Sequence, residues 1–86
     1  MVVLFYGCVL EFTGGVKSVD LKDCPSLMSL VDELGCLFGE QFKAFLLGGD
    51  ACFFLINGKG IMATGGFKSK LSPGDKIEIL PLVEAG

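Results

Sequence analysis

The residues best suited to chemistry are the last ones in the sequence, where Leu80-Pro81 is followed by Leu82, Val83, Glu84, Ala85 and Gly86. We expect residues 82–86 to form a flexible, extended tail after a final β-strand, with the main-chain carboxylate of Gly86 as the reactive group. A strand that runs directly into a short tail of small residues presents its terminal carboxyl as a reagent. The sequence therefore predicts that Gly86 carries the function.

The charged residues argue against other kinds of chemistry. All seven basic residues are Lys, there are ten acidic residues and no His, and the net charge is −3. No basic cluster alternates with aromatic residues, so we expect no nucleic acid partner. Without Arg there is no bidentate group for phosphate, and without His no side chain titrates near neutral pH at its ordinary pKa. The composition thus argues against a protein that is an enzyme by itself.

The four cysteines, Cys8, Cys24, Cys36 and Cys52, form no CxxC pair, and no His accompanies them. We therefore expect no metal site and interpret the cysteines as reduced, small hydrophobic residues, although an even number permits disulfides. The beginning of the sequence resembles no secretion signal, and the apolar runs are too short to span a membrane. We expect a cytoplasmic protein without a membrane partner.

Hydrophobic spacing predicts a strand at 2–9, a Gly-rich turn, and a second strand at 16–21. Asp23 or Ser26 then begins an amphipathic helix that ends near Gly39. Its apolar stripe comprises Leu27, Leu30, Val31, Leu34, Leu37 and Phe38. This stripe is expected to face the core.

Residues 40–47 repeat the helical pattern weakly, and 51–56 form a continuous apolar run that predicts a buried strand. Asn57-Gly58 predicts a tight turn, and Ile61-Met62 a further short strand. The sequence Ser72-Pro73-Gly74-Asp75 predicts the turn before a last strand at 76–80.

The order of these elements predicts an α+β protein of β-grasp (ubiquitin-like) architecture, with a mixed sheet of four to five strands and one main helix across one face. We expect one domain over residues 1–86. In the last strand, alternation directs Ile77 and Ile79 to one face and Leu80 to the other. If the isoleucines lie under the helix, Leu80 is outward and could share an apolar patch with Leu4 or Tyr6.

Several segments together resemble the MoaD/ThiS family of sulfur carriers, and the molybdopterin synthase small subunit above all. They are the first strand and loop from Leu4 to Gly14, the Phe54–Lys59 segment with its Asn-Gly turn, the Gly65–Asp75 segment that leads to the last strand, and the ending from Ile79 to Gly86. The order and spacing of these segments make the resemblance more specific than any single one.

The resemblance implies a two-stage carrier without a bound cofactor. An E1-like adenylating enzyme would use ATP to activate Gly86, sulfur would replace AMP to give a thiocarboxylate, and the molybdopterin synthase large subunit would accept the tail. It also implies a partner interface at Tyr6, Leu10, Leu80 and Pro81.

The sequence departs from the family at three positions. Ala85 replaces the first glycine of the usual Gly-Gly end, Leu82 follows Pro81 where a second proline is usual, and Leu10 stands where the family commonly has Arg. Two alternatives stay open: a ubiquitin-like interaction module whose terminus is never activated, and a modifier attached to protein lysines. An iron–sulfur β-grasp protein is disfavoured because the cysteines are widely spaced.

Overall fold

The computed structural model describes residues 1–48 and 52–81 and contains a five-stranded mixed sheet. The strands are β1 (Val2–Phe5), β2 (Ser18–Asp20), β3 (Cys52–Ile56), β4 (Lys59–Gly60) and β5 (Lys76–Pro81). Their order across the sheet is β2-β1-β5-β3-β4, so that β5 is the central strand. It pairs in parallel with β1 and antiparallel with β3. This is the predicted α+β, β-grasp architecture.

Two helices, α1 (Leu27–Phe38) and α2 (Glu40–Leu47), follow each other with a single residue between them. Ser26 caps α1, because its hydroxyl oxygen accepts a hydrogen bond from the Ser29 N–H at 3.2 Å. Gly39 ends α1 with a φ of 110°, a value that favours glycine and lets the chain turn at once into α2. The predicted main helix and the weaker second helix are both present.

The core lies between the helices and one face of the sheet. Leu30 and Leu34 of α1 pack in the same buried cluster as Ile77 and Ile79 of β5, and all four are fully buried. Phe42 of α2 is fully buried as well. It is surrounded by the rings of Phe5, Phe12 and Phe38, with ring centroids 5.4–5.9 Å away. Both isoleucines of the last strand thus lie under the helix, which is the condition under which Leu80 points outward.

Three local predictions were wrong. The first strand ends at Phe5, because Gly7 takes a φ of 59° and begins a 3-10 helix over Gly7–Glu11. Ile61-Met62 belongs to another 3-10 helix, Ile61–Ala63, while the short strand β4 precedes it. Leu37, at the margin of the helical stripe, is 52% exposed rather than in the core.

The turn between β3 and β4 is joined to the turn before β5. Asn57 and Gly58 both have positive φ, 52° and 84°, as the predicted Asn-Gly turn requires. The Asn57 side chain donates to the Asp75 carboxylate at 2.9 Å and accepts from the Lys76 N–H at the same distance. The second Asp75 oxygen accepts from the Ser72 N–H at 2.8 Å. These hydrogen bonds set where β5 begins.

Candidate functional site

The face of the sheet that is turned away from the helices, which we call the outer face, carries mostly apolar side chains. The strand registers place side chains from β1, β3 and β5 on it, because residues paired across the strands point to the same side. Its members are Val2, Leu4, Tyr6, Phe53, Leu55, Lys76, Glu78 and Leu80. Val2, Tyr6 and Phe53 are each exposed by more than a third, so that a sizeable apolar surface faces solvent.

Glu78 lies at the centre of the outer face. It is on the central strand β5, directly between Leu4 of β1 and Leu55 of β3. Its side chain is only 17% exposed. The Tyr6 hydroxyl donates a hydrogen bond to Glu78 Oε2 at 2.9 Å, and this bond raises the pKa of Tyr6 because it favours the protonated phenol.

The predicted interface residues occupy three different positions. Tyr6 and Leu80 both lie on the outer face, where Leu80 is half-buried and pairs with Phe53. Leu10, in the first 3-10 helix, lines a depression of about 360 Å³ together with Tyr6, and it also packs against the core. Pro81 pairs with the buried Cys52 and therefore lies on the same side of the sheet as Ile77 and Ile79.

The predicted reactive group and tail, Gly86 with Leu82, Val83, Glu84 and Ala85, lie outside the described residues. The last described residue, Pro81, is the end of β5. In sequence the tail therefore follows directly from the central strand. Within that strand, the carbonyl of Ile79 accepts a hydrogen bond from the Tyr6 N–H at 3.1 Å.

The four cysteines are free. Cys24 and Cys52 are buried, in agreement with their interpretation as small hydrophobic residues, whereas Cys8 and Cys36 are exposed. Burial raises the pKa of the Cys52 thiol to about 11, with a smaller contribution from Cys8. A thiol with such a pKa stays protonated near neutral pH and is a weak nucleophile.

Within residues 1–48 and 52–81, no three side chains of the metal-binding types come together as a candidate metal site. Among the same residues, no helix has the length and apolar character needed to cross a membrane. A depression of about 740 Å³ lies at the opposite end of β1 from Tyr6 and is lined by Met1, Leu21, Cys24, Leu71 and neighbouring residues. It contains none of the predicted site residues.

Comparison with solved structures identifies the fold. CysO from Mycobacterium tuberculosis, described as an antigen, superposes with a TM-score of 0.80 at 20% identity, over 95% of this chain and 98% of that one. CysO from Amycolatopsis orientalis, solved in a BexX/CysO complex, gives 0.81 at 22% identity, over 99% and 98%. The fold is that of the ubiquitin-like β-grasp proteins.

A third similar structure is the small archaeal modifier protein 1 (SAMP1) from Methanosarcina acetivorans. It has a TM-score of 0.80 and 23% identity, over 99% of this chain and 94% of that one. The sequence matches no protein-family model and no curated protein. The likeness therefore extends over nearly the whole chain and concerns the fold.

Sequence reasoning missed two features of the site. Alternation within β5 placed Glu78 opposite Ile77 and Ile79, but it could not show that Glu78 is the centre of an apolar face. Phe53 and Leu55 were assigned only to a buried run, because a continuous apolar run does not tell which of its residues face solvent. Both features depend on which strands are neighbours, which the sequence pattern alone does not specify.

Proposed function

We propose that this chain is a ubiquitin-like sulfur carrier. Its Gly86 carboxylate is adenylated by an E1-like adenylating enzyme and then converted to a thiocarboxylate. The observation that carries the proposal is the apolar outer face around the central strand β5, on which a partner can dock; in sequence, residues 82–86 follow directly after this strand. A docked partner would thus hold the end of β5, where the tail begins, at a fixed distance from its own active site.

The chemistry follows from a main-chain carboxylate at Gly86. The carboxylate attacks the α-phosphate of ATP, a C–O–P bond forms, and pyrophosphate leaves. A sulfur nucleophile supplied by the activating system then attacks the carbonyl carbon, and AMP leaves as the C–S bond forms. The partners supply the catalytic groups, in keeping with a chain that has neither His nor Arg.

The tail has the reach that such a transfer needs. Five extended residues span roughly 17 Å, enough to pass from one protein's surface into a buried site of another. Ala85 adds one methyl group where a Gly-Gly end would have none, but alanine readily adopts the extended conformation. The proposal therefore requires an activating enzyme whose channel accepts Ala-Gly.

The acceptor we propose is the molybdopterin synthase large subunit, in the synthesis of the molybdenum or tungsten cofactor. This assignment rests on the resemblance of residues 79–86 to the molybdopterin branch. The CysO of the BexX/CysO complex is a protein of this fold with a solved partner.

A second candidate is a protein modifier, which would use the same activated carboxyl for attachment to lysine. It is favoured by the similarity to a protein described as a small archaeal modifier. The two candidates differ in the product: a sulfur carrier gains one sulfur atom in exchange for oxygen, whereas a modifier becomes joined to another protein.

Intact mass spectrometry of the chain, co-expressed with its host's adenylating enzyme, distinguishes these functions. We expect the mass increase of one oxygen replaced by sulfur, and no such increase when one residue is added after Gly86. The variant Ala85→Gly is the matched control, and it should be converted at least as well as the unaltered chain.

Two results would contradict the proposal. An unchanged mass in the presence of an active enzyme, together with partner binding by the extended variant, would identify an interaction module. Conjugates of the chain with other proteins in place of the sulfur product would identify a modifier.

A further inference from the structure

The centre of the outer face is negatively charged although its surroundings are apolar. Glu78 has Leu4 and Leu55 at its sides and Leu80 two residues further along the same strand. At the edge of the sheet Asp20 points to the same side, but its side chain is 76% exposed, whereas Glu78 is 17% exposed. The only carboxylate at the centre of the described outer face is therefore already largely shielded from water.

The protein's own groups use only part of the hydrogen-bonding capacity of the Glu78 carboxylate. A carboxylate offers about four acceptor positions. One is used by the Tyr6 hydroxyl at 2.9 Å, and the Lys76 ammonium stands 3.9 Å from the other oxygen. Lys76 is 52% exposed, and an ion pair of this length near solvent contributes little. The remaining acceptor capacity of Glu78 is left to water.

A partner that covers the apolar residues around Glu78 would remove that water. Burial of a carboxylate with unmet acceptor positions costs free energy, unless a cation with matching hydrogen bonds replaces the solvent. A guanidinium group can donate two hydrogen bonds to one carboxylate and leave the Tyr6 hydroxyl in place, and an ammonium group supplies the charge.

We propose that the protein surface that docks on the outer face carries an Arg or Lys side chain, surrounded by apolar residues, that forms an ion pair with Glu78. This inference rests on the proposed function, because the docking protein is the adenylating enzyme. Glu78 is then a specificity residue: partners with an acidic or purely apolar centre are rejected.

The test measures KM for the carrier and kcat in carrier-dependent ATP–pyrophosphate exchange, with the purified adenylating enzyme of the same host. Glu78→Gln keeps the shape and an acceptor for Tyr6 but removes the charge. We expect KM to rise at least tenfold with kcat changed less than twofold, since the ion pair acts in docking and not at the reacting carboxyl.

Two variants serve as controls. Asp20→Asn removes a carboxylate from the exposed sheet edge and should leave KM within twofold. Tyr6→Phe keeps the charge of Glu78 and removes its internal hydrogen bond, so KM should rise less than in Glu78→Gln. Circular dichroism and thermal melting of each variant establish that the fold is retained.

A KM for Glu78→Gln within twofold of the unaltered chain, or below it, would overturn the inference. An Asp20→Asn effect as large as that of Glu78→Gln would also overturn it, because the effect would then be one of net charge. If the unaltered chain supports no ATP–pyrophosphate exchange at all, the proposed function is refuted, and the inference with it.

Discussion

Asp75 links two turns through its carboxylate. One oxygen accepts from the Asn57 side chain and the other from the Ser72 N–H, at 2.9 and 2.8 Å. Both hydrogen bonds favour the ionised carboxylate, and together they lower the pKa of Asp75 from its ordinary value of 3.8. The group therefore stabilises the folded protein where it is ionised, and this contribution is present above pH 3.8 and lost as the pH falls through the lowered pKa.

The variant Asp75→Ala should lower the free energy of unfolding at neutral pH by about 1 kcal/mol, a value reduced by solvent at this partly exposed site. The difference from the unaltered chain should shrink as the pH falls below 3.8 and through the lowered pKa of Asp75, because both proteins then lack the ionised group. Urea denaturation at neutral pH and at pH values below 3.8 measures this difference in the free energy of unfolding. Glu33→Ala, on the exposed side of α1, is the control. A difference that stays constant into acid would contradict the role of the carboxylate.

The sequence predicted part of this arrangement. Asn57-Gly58 and Ser72-Pro73-Gly74-Asp75 were each recognised as turns, because their residue types allow the required backbone angles. The link between the two turns was not predicted. Asn57 and Asp75 are 18 positions apart, and only the antiparallel pairing of β3 with β5 brings them together.

At the scale of the elements, α1 shows where a helical pattern stops being informative. Leu34 is fully buried against the sheet, whereas Leu37, in the last turn of the same helix, is 52% exposed. The helix turns about 100° per residue, so that Leu37 reaches the margin of the stripe while Phe38 returns to its centre. Phe38 accordingly packs edge-on against Phe5.

Matched truncations of the two leucines test this difference. Leu34→Ala should cost about 2–5 kcal/mol of unfolding free energy, because it leaves a cavity in the core. Leu37→Ala should change stability by no more than about 0.5 kcal/mol, as is usual for surface positions. Urea denaturation of both variants checks it. Equal losses would mean that Leu37 is part of the core after all.

Helix bounds were better predicted than strand bounds. Ser26 and Gly39 mark the ends of α1 by local chemistry, since one accepts from the first turn and the other adopts a positive φ. Nothing comparable marks the end of β1: Tyr6, Cys8 and Val9 continue the apolar pattern, and the left-handed conformation of Gly7 interrupts it. Glycine alone does not reveal which of its allowed conformations is used.

The molecule as a whole has two distinct faces on one sheet. The helices cover the face that contains Ile77 and Ile79, while the outer face leaves apolar side chains in contact with water. Alternation along β5 therefore directs the odd-numbered residues to the core side of the sheet and the even-numbered residues to the outer face.

Aspartate substitutions at neighbouring positions test this division. Leu80→Asp should weaken binding to the adenylating enzyme at least tenfold and change the free energy of unfolding by no more than about 1 kcal/mol. Ile79→Asp should cost more than about 4 kcal/mol, because it buries an unpaired carboxylate. Calorimetric titration and urea denaturation measure the two effects. An unfolded Leu80→Asp variant would place that side chain in the core.

The central position of β5 has a consequence for biosynthesis. Until residues 76–81 leave the ribosome, β1 and β3 have no neighbour between them, and their facing edges remain unpaired. The insertion of β5 fills this gap, places Glu78 between Leu4 and Leu55, and brings Leu80 beside Phe53 in the same event. An incomplete or misfolded nascent chain thus lacks this apolar surface, so that under the proposed function an activating enzyme would load only a chain whose sheet is complete.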